Sequence, residues 1–392
     1  MRVVLLHSFY QQRGGEDAVV ESELALLRRY GHDVTPYFRS NDVMSTLGKP
    51  AALLRTTWSQ EDRRAVSRLL AEVRPDVLHV HNTFQAVSPS ILWAAAEQGV
   101  PVVQTLHNFR LICPQAMLLR HDRVCEDCIG HVPWRGVVRA CYRESRVQTA
   151  ALVSMLMLHR GLGSYGRHVA RFIALSEFSK AKLVEGGLDP ARICVKPNFY
   201  EGSAIPKDGP RERGLFVGRL SREKGVEVLL GAARDHGMRG IDVIGDGEAY
   251  AGAVREVFGP AAKGFLPSDA VMTHMQSAAF LVVPSICYEN FPRAIVEAFA
   301  CGVPVIASAM GAMAEIVQDG QTGLLFRPGD SAALAERVRW AQAHPQAMRE
   351  MGQRAYETFR TRYTAERNHD MLMAIYREAM DEPSGRASGG GR

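Results

Sequence analysis

Short apolar, β-branched runs alternate with longer amphipathic stretches along almost the whole chain, and the alternation occurs twice. In the first half, residues 3–6, 77–80, 101–105 and 172–175 read as strands buried on both faces. Residues 16–30 read as a helix, with Val19, Val20, Leu24 and Leu27 on one side. In the second half, residues 215–217, 241–244, 280–283 and 303–307 repeat the strand pattern, and residues 294–301 and 345–380 read as helix. Parallel strands need crossovers of a dozen or more residues, so this rhythm predicts α/β architecture with doubly wound sheets. A chain of 392 residues exceeds what one core supports, which predicts two domains. Pro and Gly cluster without periodicity between Lys196 and Arg211 and mark the boundary. The expected division is 1–198, 199–375 and a Gly/Ser-rich disordered tail, 376–392.

Charge narrows the partners. Residues 1–200 carry 25 Lys and Arg against 18 Asp and Glu, whereas the whole chain has 47 against 42. The excess lies mainly between Arg110 and Arg171, a stretch rich in Arg and free of Lys. Such a segment is either a solvated face or an attractor for anionic lipid or a lipid-linked phosphate. Aromatic residues are not interleaved with the cations and no nucleic-acid motif occurs, so nucleic acid is not expected. No apolar run reaches the ~18–20 residues of a membrane span. The first residues read as a buried strand rather than an export signal, so the expected location is the cytoplasm, at the inner face of its membrane.

In doubly wound sheets, ligands bind outside the carboxyl ends of strands, so motifs that follow strands carry the chemistry. Gly14-Gly15 lies between the first strand and the first helix, where a glycine turn and free helix N–H groups let a phosphate approach. An ordinary strand-to-helix turn has the same sequence. Gly218-Arg219 through Lys224-Gly225 follows the strand at 215–217. Arg219 can clamp a diphosphate, and Lys224 adds a second cation where the leaving oxygens gain charge. Gly245, in Ile244-Gly-Asp-Gly247, ends another strand and can flank a nucleotide base. Glu289 and Glu297 bracket a loop-to-helix transition after the strand at 280–283. Glu289 suits sugar hydroxyls and Glu297 a ribose, while the backbone at Asn290, Phe291 and Pro292 lies at a helix start and suits a phosphate. His107 follows the strand at 101–105 and can contact a sugar hydroxyl. His79 and His81 alternate along the strand before it, where at least one is expected to be a satisfied core histidine.

In this order along the chain, these pieces resemble the family-4 retaining glycosyltransferases of the GT-B fold, over residues 1 to about 375. The similarity extends to Arg74-Pro-Asp-Val-Leu-His-Val-His81, Ala300-Cys-Gly-Val-Pro-Val305 and Asp319-Gly-Gln-Thr-Gly-Leu-Leu325. The resemblance implies two facing Rossmann-like domains. It implies a donor nucleoside-diphosphate sugar held by Gly14, Gly15, Arg219 and Lys224, its ribose by Glu297, its sugar by Glu289, and contact from His107. It further implies transfer of a hexose with retention of configuration, usually without a metal, to a glycan or lipid-linked acceptor of cell-surface polysaccharide assembly. No Asp pair suggests a divalent-cation site for the diphosphate. A nucleotide-sugar epimerase and a non-catalytic sugar-binding subunit are the alternatives.

Cys113, Cys125, Cys128 and Cys141 depart from the general family pattern. Their C-x11-C-x2-C-x12-C spacing is close to that of zinc ribbons, which leaves two readings open, four reduced, packed thiols or a structural zinc.

Overall fold

A computed structural model describes residues 1–11, 14–202, 206, 209 and 211–381. The chain forms two compact units. The first comprises residues 1–116, 126–197 and 369 onward, and the second comprises residues 117–125 and 198–368.

The first unit holds six parallel strands: β1 (Arg2–Phe9), β2 (Asp33–Ser40), β3 (Val77–Asn82), β4 (Val102–Leu106) and, further along, Arg171–Ala174 and Ile193–Val195. Between β4 and Arg171–Ala174 the chain makes a two-stranded hairpin, β5 (Leu119–Arg120) with β6 (Arg123–Val124), so those later strands are β7 and β8. The sheet order is β2-β1-β3-β4-β7-β8. Every residue of β3 and β4 is buried, as expected for strands covered on both faces. β2 reads Asp-Val-Thr-Pro-Tyr-Phe-Arg-Ser, and Pro36 within it fits because β2 is an edge strand.

The second unit holds β9 (Gly214–Val217), β10 (Ile241–Ile244), β11 (Ala262–Gly264), β12 (Phe280–Val283), β13 (Val305–Ser308) and β14 (Gly323–Phe326), all parallel. Their order, β11-β10-β9-β12-β13-β14, is the 3-2-1-4-5-6 of a Rossmann sheet. The winding reverses between β9 and β12, and a crevice therefore opens at their carboxyl ends. Phe216, Val243, Val282 and Ile306 meet Leu229, Leu334 and Val338 in this unit's core. Leu119 of the β5–β6 hairpin is buried in the same core, which is why residues 117–125 belong here.

Two expectations need correction. Residues 345–380 are not one helix: Pro345–Arg362 stops at Tyr363, and Ala365–Asp381 follows. Thr364 at the break is bridged to Tyr200. Nor are residues 376–381 a disordered tail; they are the last turns of that helix. Leu372, Ile375, Tyr376 and Ala379 bury one face of it against Val3, Leu5, Val20 and Leu27, so apolar burial holds it to the first unit. Residues 382–392 lie outside the described residues.

Candidate active site

The geometry at the switch point of the second unit follows from one glycine. Gly225 ends the turn after β9 with φ +74°, and a Cβ there would stand 1.8 Å from the Pro284 carbonyl oxygen. Only glycine lets the β9 turn pack directly on the loop that follows β12. Lys224 is thereby set beside Glu289, with Nζ 2.7 Å from Oε1. Ser285 donates to the same oxygen at 2.8 Å. Burial by itself would lower the Lys224 pKa, but the neighbouring carboxylate raises it. Burial by itself would raise Glu289, but Lys224 and the Ser285 hydroxyl hold it below its ordinary value. Both groups are therefore charged around neutral pH.

Arg219 projects from the same turn and is 62% exposed at its side chain. Its guanidinium donates to Glu223 Oε1 at 3.1 Å, and Ser221 donates to that oxygen at 2.6 Å. The Glu223 carbonyl accepts from Ile286 N at 3.0 Å, a second tie between the two loops. Gly218 and Gly245 face each other at the ends of β9 and β10. A Cβ on Gly245 would lie 1.8 Å from the Gly218 carbonyl oxygen, so the two strand ends close on each other with no side chain between. Glu297 sits in the helix Arg293–Ala300, 3.3 Å from Arg293, and burial raises its pKa. Asn290 and Phe291 are buried, and Phe291 packs edge-on against Tyr363 at 5.6 Å. The helix begins at Arg293, after Pro292, so Asn290 and Phe291 belong to the loop before it.

In the first unit, Gly14 and Gly15 lie at the start of the helix Gly15–Arg29. Asp17 fixes them: Gly14 N donates to Oδ2 at 2.9 Å, and buried His7 on β1 meets Oδ1 at 2.8 Å. Glu16 accepts from the Tyr10 hydroxyl at 3.1 Å, and burial pushes its pKa up to about 8. Asn108, next to His107, reaches the same Tyr10 hydroxyl at 3.4 Å. His107 follows β4, half-buried, with Nε2 2.8 Å from His81 Nδ1. It lines a cavity of about 50 Å³ together with Asn108, Arg110 and Tyr165.

The expected residues thus fall into two groups. Arg219, Lys224, Glu289, Asn290 and Glu297 lie in the second unit, and Gly14, Gly15 and His107 in the first. Cys113 and Cys128 are buried, and Cys125 and Cys141 partly so. Sequence reasoning passed over Glu223, Ser285, Tyr10, Glu16, Asp17, Glu23 and Lys196. Glu23 had a readable signal: it interrupts the buried stripe Val19, Val20, Leu26 and Leu27.

Two family models match the chain. "Glycosyl transferase 4-like domain" covers residues 14–198, and "Glycosyl transferases group 1" covers residues 203–358. The chain is 28% identical over 364 residues to the 2-deoxystreptamine N-acetyl-D-glucosaminyltransferase of Streptomyces fradiae, covering 86% of this chain and 78% of that one. It is 30% identical over 220 residues to an uncharacterised glycosyltransferase of Methanocaldococcus jannaschii, covering 54% of this chain and 60% of the relative. Its fold matches the Anabaena HepE structure in complex with UDP-glucose, with a TM-score of 0.64 and 17% identity over 96% of this chain and 99% of that one. With a doubly wound parallel sheet in each unit and family matches along most of its length, the chain belongs to the group 1 glycosyltransferases of the GT-B fold.

Proposed function

We propose that the protein transfers a hexose, with retention of configuration and without a catalytic metal, from a nucleoside-diphosphate sugar to a glycan or lipid-linked acceptor in cell-surface polysaccharide assembly. The observation that carries this reading is the Lys224–Glu289 pair at the carboxyl ends of β9 and β12. A cation and a carboxylate held 2.7 Å apart, with Arg219 on the same turn, offer charge to a diphosphate and acceptors to sugar hydroxyls together. UDP-glucose in the similarly folded Anabaena protein supports a nucleotide-sugar donor. The N-acetylglucosaminyl transfer named for the Streptomyces relative supports the reaction class.

In this reading the second unit holds the donor. Arg219 and Lys224 bind the diphosphate, Glu297 the ribose and Glu289 the sugar, with the backbone at Gly218, Gly245 and residues 290–292 around the nucleotide. The first unit takes the acceptor, with Gly14 and Gly15 toward the phosphate and His107 toward the transferred sugar. The bond from the anomeric carbon to the diphosphate oxygen breaks. The acceptor oxygen attacks from the same face, and its proton passes to the departing phosphate. Arg219 and Lys224 stabilise the charge that grows on that phosphate.

The acceptor side carries a surface that suits an anionic membrane. Trp134, Val138 and Val147 are exposed among Arg135, Arg139, Arg143 and Arg146. No helix among the described residues is long and apolar enough to cross a membrane. Cys113, Cys125, Cys128 and Cys141 are proposed ligands of a structural zinc, a matter for metal analysis of the purified chain. Four thiolates are the donor set such a site uses.

A thermal-shift series with UDP, GDP, ADP and CMP and their sugars, on wild type and Lys224→Ala, tests the donor reading. A ligand that binds only the native state must raise Tm. A rise with one nucleotide that is lost in K224A is expected. No rise with any of them would leave the non-catalytic alternative standing.

A further inference from the structure

Beneath His107 lies a buried polar network that the transfer step above does not use. Glu23, on the first helix, is fully buried. Its Oε1 meets His79 Nδ1 at 2.9 Å and His81 Nε2 at 3.1 Å, and its Oε2 meets Lys196 Nζ at 3.0 Å. His79 Nε2 meets the Thr105 hydroxyl at 2.8 Å, and Tyr376 OH lies 2.7 Å from His79 Nδ1. His81 Nδ1 meets His107 Nε2 at 2.8 Å, and the two rings stack with centroids 5.2 Å apart. The ligand atoms of Glu23, His79 and His81 converge closely enough for a metal ion. The Lys196 ammonium already occupies the cation's place at Glu23, and a divalent ion beside it would be repelled.

Hydrogen-bond chemistry gives this network a direction. Lys196 can only donate, so Glu23 is held as an acceptor. Burial raises the Glu23 pKa, but Lys196 and the two histidines bring it well below its ordinary value, so it is ionised. An ionised Glu23 requires His81 to carry its proton on Nε2. His81 Nδ1 is then an acceptor, and His107 must donate to it from Nε2. His107 Nδ1 is left unprotonated.

We infer that the Glu23–His81 relay is a positioning device that locks His107 in the Nε2–H tautomer, so that its Nδ1 accepts a hydrogen bond from a sugar hydroxyl. The inference rests on the proposed contact between His107 and the transferred sugar, but its first test does not. Burial and the adjacent His81 lower the His107 pKa well below the ordinary value, which agrees with a neutral ring.

Glu23→Gln is the diagnostic change because it keeps the shape. Lys196 would keep the amide oxygen, and the NH2 would face His79 and His81. His81 would then have to accept at Nε2, carry its proton on Nδ1 and donate to His107. The His107 tautomer would invert.

The measurement is the ring 15N spectrum of histidine-labelled full-length protein at pH 7.5, with the His107 signals assigned by their loss in His107→Asn. Wild type should show His107 with a bare Nδ1 and a protonated Nε2, and E23Q the reverse. A protonated Nδ1 in wild type, or an unchanged His107 spectrum in folded E23Q, overturns the relay. The wild-type spectrum decides the matter even if E23Q does not fold. Once the donor is known, E23Q should lower kcat roughly tenfold with little change in KM, the loss of about one hydrogen bond in the transition state. The expected spectra together with an unchanged kcat would retain the tautomer lock and remove the sugar contact.

Discussion

Glu16 illustrates how a single residue at the proposed site couples binding to pH. It stands beside the Gly14–Gly15 turn, and burial raises its pKa to about 8. At pH 7 it is mostly neutral, which would spare a phosphate bound at the proposed Gly14–Gly15 turn from repulsion. An acid whose folded pKa is raised contributes full stability below its unfolded value, near pH 4.5. That contribution is lost as pH rises to about 8. Glu16→Gln stays neutral throughout. Its Tm relative to wild type should be close to zero difference at pH 4.5, climb from there and level off above about pH 8, as read by thermal melts across pH. A flat difference would place Glu16 in contact with water. Lys224 and Glu289 behave oppositely, since their pKa values move apart and their pair holds through neutral pH.

At the level of elements, the loops at strand ends are shaped by glycines rather than by the residues that carry charge. Gly225 lets the β9 turn reach Pro284, and Gly237, at φ +67°, faces open space. An alanine in left-handed backbone costs about 1–2 kcal/mol at either position. Gly225→Ala must also displace the Pro284 carbonyl. It should therefore lose clearly more stability in denaturant melts than Gly237→Ala, and should weaken donor binding by moving Lys224. Equal losses would mean that the two loops shift apart without strain.

At the level of the whole molecule, the chain crosses back at its end. The helix Ala365–Asp381 carries Leu372, Ile375 and Tyr376 into the core of the first unit. Truncation after Asn368 would uncover that face. Hydrogen exchange should then rise across β1, β3 and β7, while β9 and β12 keep their protection. Equal loss in both sheets would show that the units unfold together. The basic, apolar surface around Trp134 makes a second prediction. The protein should float with phosphatidylglycerol vesicles at low salt, and less at 0.5 M salt or after Arg135→Glu with Arg146→Glu. Flotation unaffected by both would remove the membrane proposal.

The central strands were legible in the sequence because burial on both faces keeps them rich in apolar, β-branched residues, wholly so in β12, Phe-Leu-Val-Val, and largely so in β3, β4 and β10. Besides the short hairpin strands β5 and β6, the strands the sequence did not reveal, β2, β8, β11 and β14, are the four edges of the two six-stranded sheets. Edge strands need less apolar surface, so Asp33–Ser40 with its proline and the three residues Ala-Lys-Gly of β11 carry little pattern. Local chemistry alone marked Arg219, Lys224, Glu289 and His107, since each follows a strand where ligands bind. What only the tertiary structure decided are the partners. Glu23 and Lys196 lie 173 positions apart, and His79 and Tyr376 lie 297 apart. No local pattern encodes a contact over such a separation; only the folded sheet brings those groups into one buried network.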